Sequence, residues 1–253
     1  MAKYTFERFE KKFLLTSAQF ESLLPKLLAH NMEYDKYCQD GGIYSIYNIY
    51  YDDDTSSVIR NSIRKPKTKF KEKFRMRSYV VPETGEETVF LEIKRKVHGV
   101  VLKRRAKLPY YQAMAFANEG IRPETDDYNK ARMFDELEYY FSIHDVKPTV
   151  YLSYDRIALF DKFDKNFRIT FDRNITTRRY DLELSKGSYG EKLLHDDERL
   201  MEIKITHAVP KWLSDILAEE KIYMSGFTKY GNEYRRSRGF EFTHVCDRKT
   251  PKI

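Results

Sequence analysis

The stretch that decides the fold is Lys73-Phe74-Arg75-Met76-Arg77, followed after one turn by Leu91-Glu92-Ile93-Lys94-Arg95-Lys96. Both place charged residues at every second position. Alternate side chains of a β-strand share a face, so each segment gathers charge on one surface and turns apolar residues to the other. Arg8-Phe9-Glu10-Lys11-Lys12 and Glu202-Ile203-Lys204 read the same way. Phe9, Phe74, Met76, Ile93 and Ile203 then form the side expected on a core. An ordinary solvated face also alternates with an apolar one, but it usually carries Thr, Ser, Gln and mixed charges. Here Lys and Arg recur from strand to strand, which points to a polyanion.

Working outward, strands are expected over 69–81, 87–97 and 100–108, joined by Pro82-Glu83-Thr84-Gly85-Glu86 and by His98-Gly99, as a three-stranded antiparallel meander. A first strand over 4–15 leads through Thr16 or Ser17 into a helix whose Phe20, Leu23, Leu24, Leu27 and Leu28 have helical spacing. Further strands are expected over 43–51, 149–160, 167–177 and 199–206, a short capped segment over 55–64, and helices over 110–118, 126–143 and 210–220. With no repeat, low-complexity tract or clear linker, 1–253 reads as one domain. The class is α+β on a large antiparallel sheet, which short turns would allow to close as a barrel with helices packed around it.

Composition narrows the function. Among 253 residues, 41% are hydrophobic and 15% aromatic, which excludes a disordered chain and supports a real core. Lys and Arg outnumber Asp and Glu by 46 to 39, an excess that carries meaning only because the cations cluster. Cys38 and Cys246 have no metal-type spacing, and the six histidines show no close pair at ligand spacing. There is no nucleophile motif or glycine-rich phosphate loop; Gly187 and Gly190 read as a loop, and Trp212 as a helix packing residue. The absence of an apolar leader or a membrane-length run gives a cytoplasmic expectation.

Strand parity assembles the candidate site. One face collects Arg8, Glu10 and Lys12; Lys73, Arg75 and Arg77; Glu92, Lys94 and Lys96; and Lys103, Arg105 and Lys107, with Arg156 and Arg168 on two later strands. Burying such charges unpaired is prohibitive, so the face must be wet and loaded with anions, or lie outside. Arg grips two phosphate oxygens with its planar fork, while Lys supplies a movable point charge. Glu10, Glu92 and Glu202 either pair with these cations or hold a divalent ion. Mg2+ and Mn2+ use one or two carboxylates together with a substrate's phosphates.

Taken in order, Arg8-Phe-Glu10-Lys-Lys12, Phe74-Arg75-Met-Arg77, Leu91-Glu92-Ile-Lys94-Arg-Lys96, Ser153-Tyr-Asp-Arg156, Arg168-Ile-Thr-Phe-Asp172, Met201-Glu202-Ile-Lys204 and Phe227-Thr-Lys229-Tyr230 resemble the polyphosphate polymerase domain of the vacuolar transporter chaperone (VTC) type. That family belongs to the triphosphate tunnel metalloenzymes, the CYTH-like superfamily, and the motifs span nearly the whole chain. The resemblance implies an antiparallel barrel forming a triphosphate tunnel. Lys12, Arg75, Arg77, Lys94, Arg156, Arg168 and Lys229 would act on the phosphates, joined by Arg8, Lys96, Arg105 and Lys204. Glu202 would be the metal ligand, with Glu10 beside it, and the cofactor Mn2+ or Mg2+.

The implied reaction moves the γ-phosphate of ATP onto a growing polyphosphate chain, so ATP and polyphosphate are the expected partners and no specific nucleic acid is. The alternatives are a metal-dependent tunnel triphosphatase and a non-catalytic binder of polyphosphate or another polyanion. Related tunnel hydrolases begin with Glu-x-Glu-x-Lys, whereas Arg8 stands where the first Glu would be, which argues against a plain triphosphatase. The eukaryotic complex also carries an inositol-phosphate sensor domain and membrane helices that this sequence does not show. A membrane-protein partner at the inner face of a membrane would be a separate chain.

Overall fold

The computed structural model describes residues 9–38, 42–64, 70–98, 100–206 and 208–247. Arg8, the start of the first expected strand, Lys69 and Gly99 lie outside them. Among the described residues ten strands occur in the order β1 (Phe9–Thr16), β2 (Met32–Tyr34), β3 (Tyr44–Asp52), β4 (Phe70–Ser78), β5 (Thr88–Val97), β6 (Val100–Pro109), β7 (Lys147–Asp161), β8 (Arg168–Arg178), β9 (Glu191–Lys192) and β10 (Glu198–Ile205). The helices are α1 (Ser17–Ala29), α2 (Ser57–Ile63), α3 (Tyr110–Met114), α4 (Tyr128–Ile143), α5 (Lys211–Glu219) and α6 (Lys229–Arg236).

The strand pairing order is β1-β10-β8-β7-β3-β4-β5-β6, with β2 on β7 and β9 on β8. The described pairings β1–β10, β10–β8, β2–β7, β3–β4, β4–β5 and β5–β6 are antiparallel. This corrects the expected closure into a barrel. Among the described residues β1 and β6 end the order, and the sheet is open. The edges explain it. The outer strand β6 carries Lys103, Arg104, Arg105 and Lys107, the charge pattern that blunts pairing by a free edge. On β1, Phe13 bridges Met224, and Ser225 donates its N–H to the Lys12 carbonyl at 2.7 Å.

The chain forms two compact units. The first comprises Ile46–Ser153 and Thr176–Glu191; the second holds Tyr154–Ile175, with the described residues before Ile46 and from Lys192 onward. In the first, the apolar parity of β4 and β5 (Phe74, Met76, Leu91, Ile93) packs beneath α3, the π-helical turn Ala115–Glu119 that continues it, and α4 through Ala113, Phe116, Phe134, Leu137 and Tyr140. Asp127 caps α4, accepting the N–H groups of Asn129 and Lys130. In the second, Phe13, Leu15, Ile169, Phe171, Met201 and Ile203 pack against Phe20, Leu23 and Leu27 of α1 and Leu213, Ile216 and Leu217 of α5. A capping box between Thr16 and Gln19 starts α1 where β1 stops. In each unit burial of one strand parity leaves the opposite parity to carry the charges. Trp212 packs on the second core and stacks on His30 at 4.5 Å.

Candidate functional site

In the second unit the register sets Lys12 opposite Glu202 and Glu10 opposite Lys204 across β1 and β10. Glu202 then faces Thr170, Lys204 faces Arg168, and Leu200 faces Asp172 across β10 and β8. These residues share one face, which Arg156 of β7 and Lys229, the first residue of α6, complete. Glu202 is 7% exposed, and its carboxylate is ringed by cations: Lys12 and Lys229 at 3.2 Å on Oε1, Lys204 at 3.2 Å and Arg156 at 4.0 Å on Oε2. Asp172, fully buried, takes two bonds from Arg156, Nε at 2.6 Å and Nη2 at 2.8 Å, and pairs with Lys229 at 2.5 Å. Lys12 also pairs with Glu10 at 3.1 Å.

The cluster fixes the charge states. Burial alone would raise the Glu202 carboxyl, but Lys229, Lys204, Lys12 and Arg156 outweigh it and hold it well below the usual carboxylate range. Burial opposes ionisation of Asp172 as well, and Arg156 and Lys229 overcome it. Burial would lower Lys229, yet Asp172 and Glu202 hold it above the ordinary lysine value. Glu202, Asp172 and Lys229 are thereby held charged in place, while burial outweighs Glu202 at Lys204 and lowers it from the ordinary lysine value. Arg156 and Lys229 are locked by Asp172, whereas the side chains of Lys12 and Lys204 remain 19% and 27% exposed and have room to turn from Glu202 toward an anion.

Arg168 stands at the end of this face, donating to the Tyr44 hydroxyl at 3.1 Å and lying 3.4 Å from Asp35. Two groups on this strand want partners. Thr170 Oγ1, on the residue opposite Glu202, and Arg168 Nε are buried without a hydrogen bond. A buried unmet polar group costs about 1–3 kcal/mol, so the face suits a ligand rich in oxygen acceptors. A hard divalent ion fits the Glu202 oxygens by donor type, but only alongside an anion that offsets the four cations already there. Glu10 lies on the same face as the next carboxylate; Asp172 is fully occupied by Arg156 and Lys229.

The first unit carries the other half of the expected residues. Lys73, Lys94 and Lys103 form one row across β4, β5 and β6, and Arg75, Glu92 and Arg105 the next. Arg77 pairs in register with Phe90, and Phe90 with Lys107. Arg75 grips Glu92 Oε2 through Nε at 2.8 Å and Nη2 at 2.7 Å and donates to the Tyr50 hydroxyl at 2.8 Å. Arg77 donates to Asn48 Oδ1 at 2.9 Å, and Lys103 reaches Glu92 Oε1 at 2.6 Å. Burial opposes the Glu92 charge, but Arg75, Arg77 and Lys103 depress its carboxyl. Lys94, Lys96 and Arg105 are exposed, Arg105 lying 4.7 Å over the Phe90 ring.

The structure thus places Lys12, Glu10, Arg156, Arg168, Glu202, Lys204 and Lys229 on the second unit, and Arg75, Arg77, Lys94, Lys96 and Arg105 on the first. Sequence reasoning gave no role to Asp172, the group that fixes Arg156 and Lys229, although it shares parity with Arg168. Tyr50 and Asn48, which orient Arg75 and Arg77, were equally unassigned. A further set was invisible to spacing: among the described residues His195, Glu198 and His244 each bring one ligating atom within 4.8 Å of the others, an arrangement able to hold a divalent metal.

These features sit in a family. Residues 7–237 match the VTC domain, and the chain belongs to that family. No curated protein matches it. Among solved structures it is similar to a candidate adenylate cyclase from Bacillus halodurans, with a TM-score of 0.54 and 15% identity over 90% of this chain and 95% of that one. It is also similar to a candidate adenylyl cyclase from Hippeastrum with a dominant triphosphatase activity, with a TM-score of 0.51 and 15% identity over 92% of this chain and 96% of that one. At such identity the likeness is one of fold. No described helix is long and apolar enough to cross a membrane.

Proposed function

We propose that this protein is a metal-dependent enzyme of phosphoanhydride chemistry whose main activity is hydrolysis of a triphosphate. The observation that carries the reading is the buried Glu202 with its four cations and the Asp172 lock behind two of them. The dominant triphosphatase activity of the Hippeastrum protein of similar fold supports this order of readings, which reverses the ranking drawn from Arg8.

Phosphoryl transfer asks a protein chiefly for alignment and charge stabilisation. Arg156 and Lys229, held rigid by Asp172, would grip phosphate oxygens, and Lys12 and Lys204 would leave Glu202 to follow the charge that shifts onto the leaving group. Glu202, with Glu10 nearby, would hold Mg2+ or Mn2+, which when bound neutralises phosphate charge and polarises the phosphorus centre. Thr170 would donate its unmet hydroxyl to the same ligand.

A second reading, transfer of the ATP γ-phosphate to a growing polyphosphate chain, is favoured by membership of the VTC family and by the exposed Lys94, Lys96 and Arg105, a face suited to a long polyanion. Product analysis separates the two. With Mn2+ and either tripolyphosphate or ATP plus a short polyphosphate primer, the first reading expects orthophosphate and shorter chains, and the second expects ADP with lengthening chains. Absence of any phosphate release or transfer with either metal sinks both.

A further inference from the structure

A second set of ligating groups in the second unit takes no part in the Glu202 cluster. His195 lies in the turn before β10, Glu198 is the first residue of β10, and His244 comes from the segment 240–247. The two imidazole rings lie 3.8 Å apart between centroids, and His244 Nδ1 is 2.5 Å from Glu198 Oε2. Glu198 is fully buried, and backbone N–H groups aim it: Val245 donates to Oε1 at 2.5 Å and His195 to Oε2 at 3.2 Å. A carboxylate held by such outer hydrogen bonds is the form in which carboxylates serve as metal ligands. Phe242, 4.5 Å from the His244 ring and 4.9 Å from Phe227, supplies an apolar wall. The Cys246 thiol is turned to Asp197 Oδ2 at 3.1 Å and lies outside the set.

The donor chemistry differs from that of the phosphate face. Two imidazole nitrogens and one carboxylate oxygen suit Zn2+ and its transition-metal neighbours, with a fourth position left to water. Mg2+ demands oxygen ligands and keeps its own waters. We propose that His195, Glu198 and His244 form a site for a Zn2+-class ion that fastens the 240–247 segment to the start of β10, separate from any Mg2+ or Mn2+ at Glu202. The ion takes the place of the proton between His244 Nδ1 and Glu198 Oε2, and that proton passes to solvent. Without metal the same hydrogen bond, the Val245 N–H and the contacts of Phe242 and Cys246 hold the segment.

The test uses the full chain, stripped with a chelator and exchanged into buffer with excess Mg2+, then titrated with Zn2+ against a chromophoric competitor. The expected result is one Zn2+ per chain, with affinity falling at least about tenfold in His195→Gln and in His244→Gln and unchanged in Glu202→Gln. Zn2+ should also slow proteolysis within 240–247 in the wild type and not in His244→Gln. No stoichiometric binding, binding indifferent to both histidine variants, or loss of the ion in Glu202→Gln would overturn the proposal. Phosphate release is read separately, so failure here leaves the enzymatic reading standing.

Discussion

The two units share one construction rule and differ in how they treat charge. In both, one strand parity is buried under helices and the other carries Lys and Arg. On the first unit's face Lys73, Arg75, Arg77, Lys94, Lys96, Lys103, Arg105 and Lys107 accompany Glu92, while Asp52 at the end of β3 accepts the N–H groups of Val58 and Ile59. On the second, Lys12, Arg156, Arg168, Lys204 and Lys229 are set against Glu10, Asp35, Asp172 and Glu202. The first is an electrostatic surface at Lys94, Lys96, Lys103, Arg105 and Lys107, all exposed, around one buried knot in which Arg75 and Arg77 hold Glu92. The second centres on a buried network of two carboxylates and two cations, Asp172 and Glu202 with Arg156 and Lys229, where each charge depends on its partners and can be placed accurately. A polyanion is attracted by the former kind of surface; bond-breaking chemistry needs the latter.

That contrast can be broken at Asp172. Asp172→Asn leaves the buried Arg156 and Lys229 to Glu202 without their nearest carboxylate, and removing one partner of such a network costs about 3–5 kcal/mol, read as a fall in the urea midpoint. If Lys94→Gln on the first unit's wet face costs as much, the contrast fails.

Acid sharpens it. Asp172 and Glu202 have depressed carboxyls in the folded chain, so the stability they contribute is complete above the unfolded carboxylate range, about pH 4 to 4.5, and drains away as pH falls through their folded values. Within that window each group steepens the loss by about 1.4 kcal/mol per pH unit. Glu92 on the first unit follows the same sign. Asp172→Asn should therefore unfold with a slope shallower by about one proton, measured by denaturation between pH 2 and 5.

Smaller effects belong to the first face. Lys94→Gln and Arg105→Gln should each weaken polyphosphate binding a few-fold and reduce the salt slope by about 1, the signature of a lost phosphate contact. Smallest of all, these exposed substitutions should move stability by no more than about 0.5 kcal/mol. A salt slope unchanged by both would remove the first face from polyanion binding.

Much of this was legible because strand parity is local. Counting by twos from Lys73 or Glu92 gives the charged rows of the meander, and the same count from Arg168 reaches Thr170 and Asp172. Asp172 was therefore readable in principle, but only its distance to Lys229, 57 residues later in the chain, reveals its work. Closure was not legible: it depends on what the outer edges of β1 and β6 meet, and that is a non-local matter. Nor was the division into two units, since its boundaries among the described residues fall within β3, β7, β8 and β9, where no linker composition marks them. His195 and His244 meet only through the return of the 240–247 segment, so no spacing rule could pair them.

The most direct test of the central claim, that the Glu202 cluster performs chemistry as well as binding, is a paired measurement on Glu202→Gln with Mn2+ and tripolyphosphate. The account predicts that phosphate release falls by about 100-fold or more, the scale of losing one preorganised charge, while polyphosphate affinity stays within a few-fold of wild type. Release at the wild-type rate, or a loss only in proportion to binding, would contradict it.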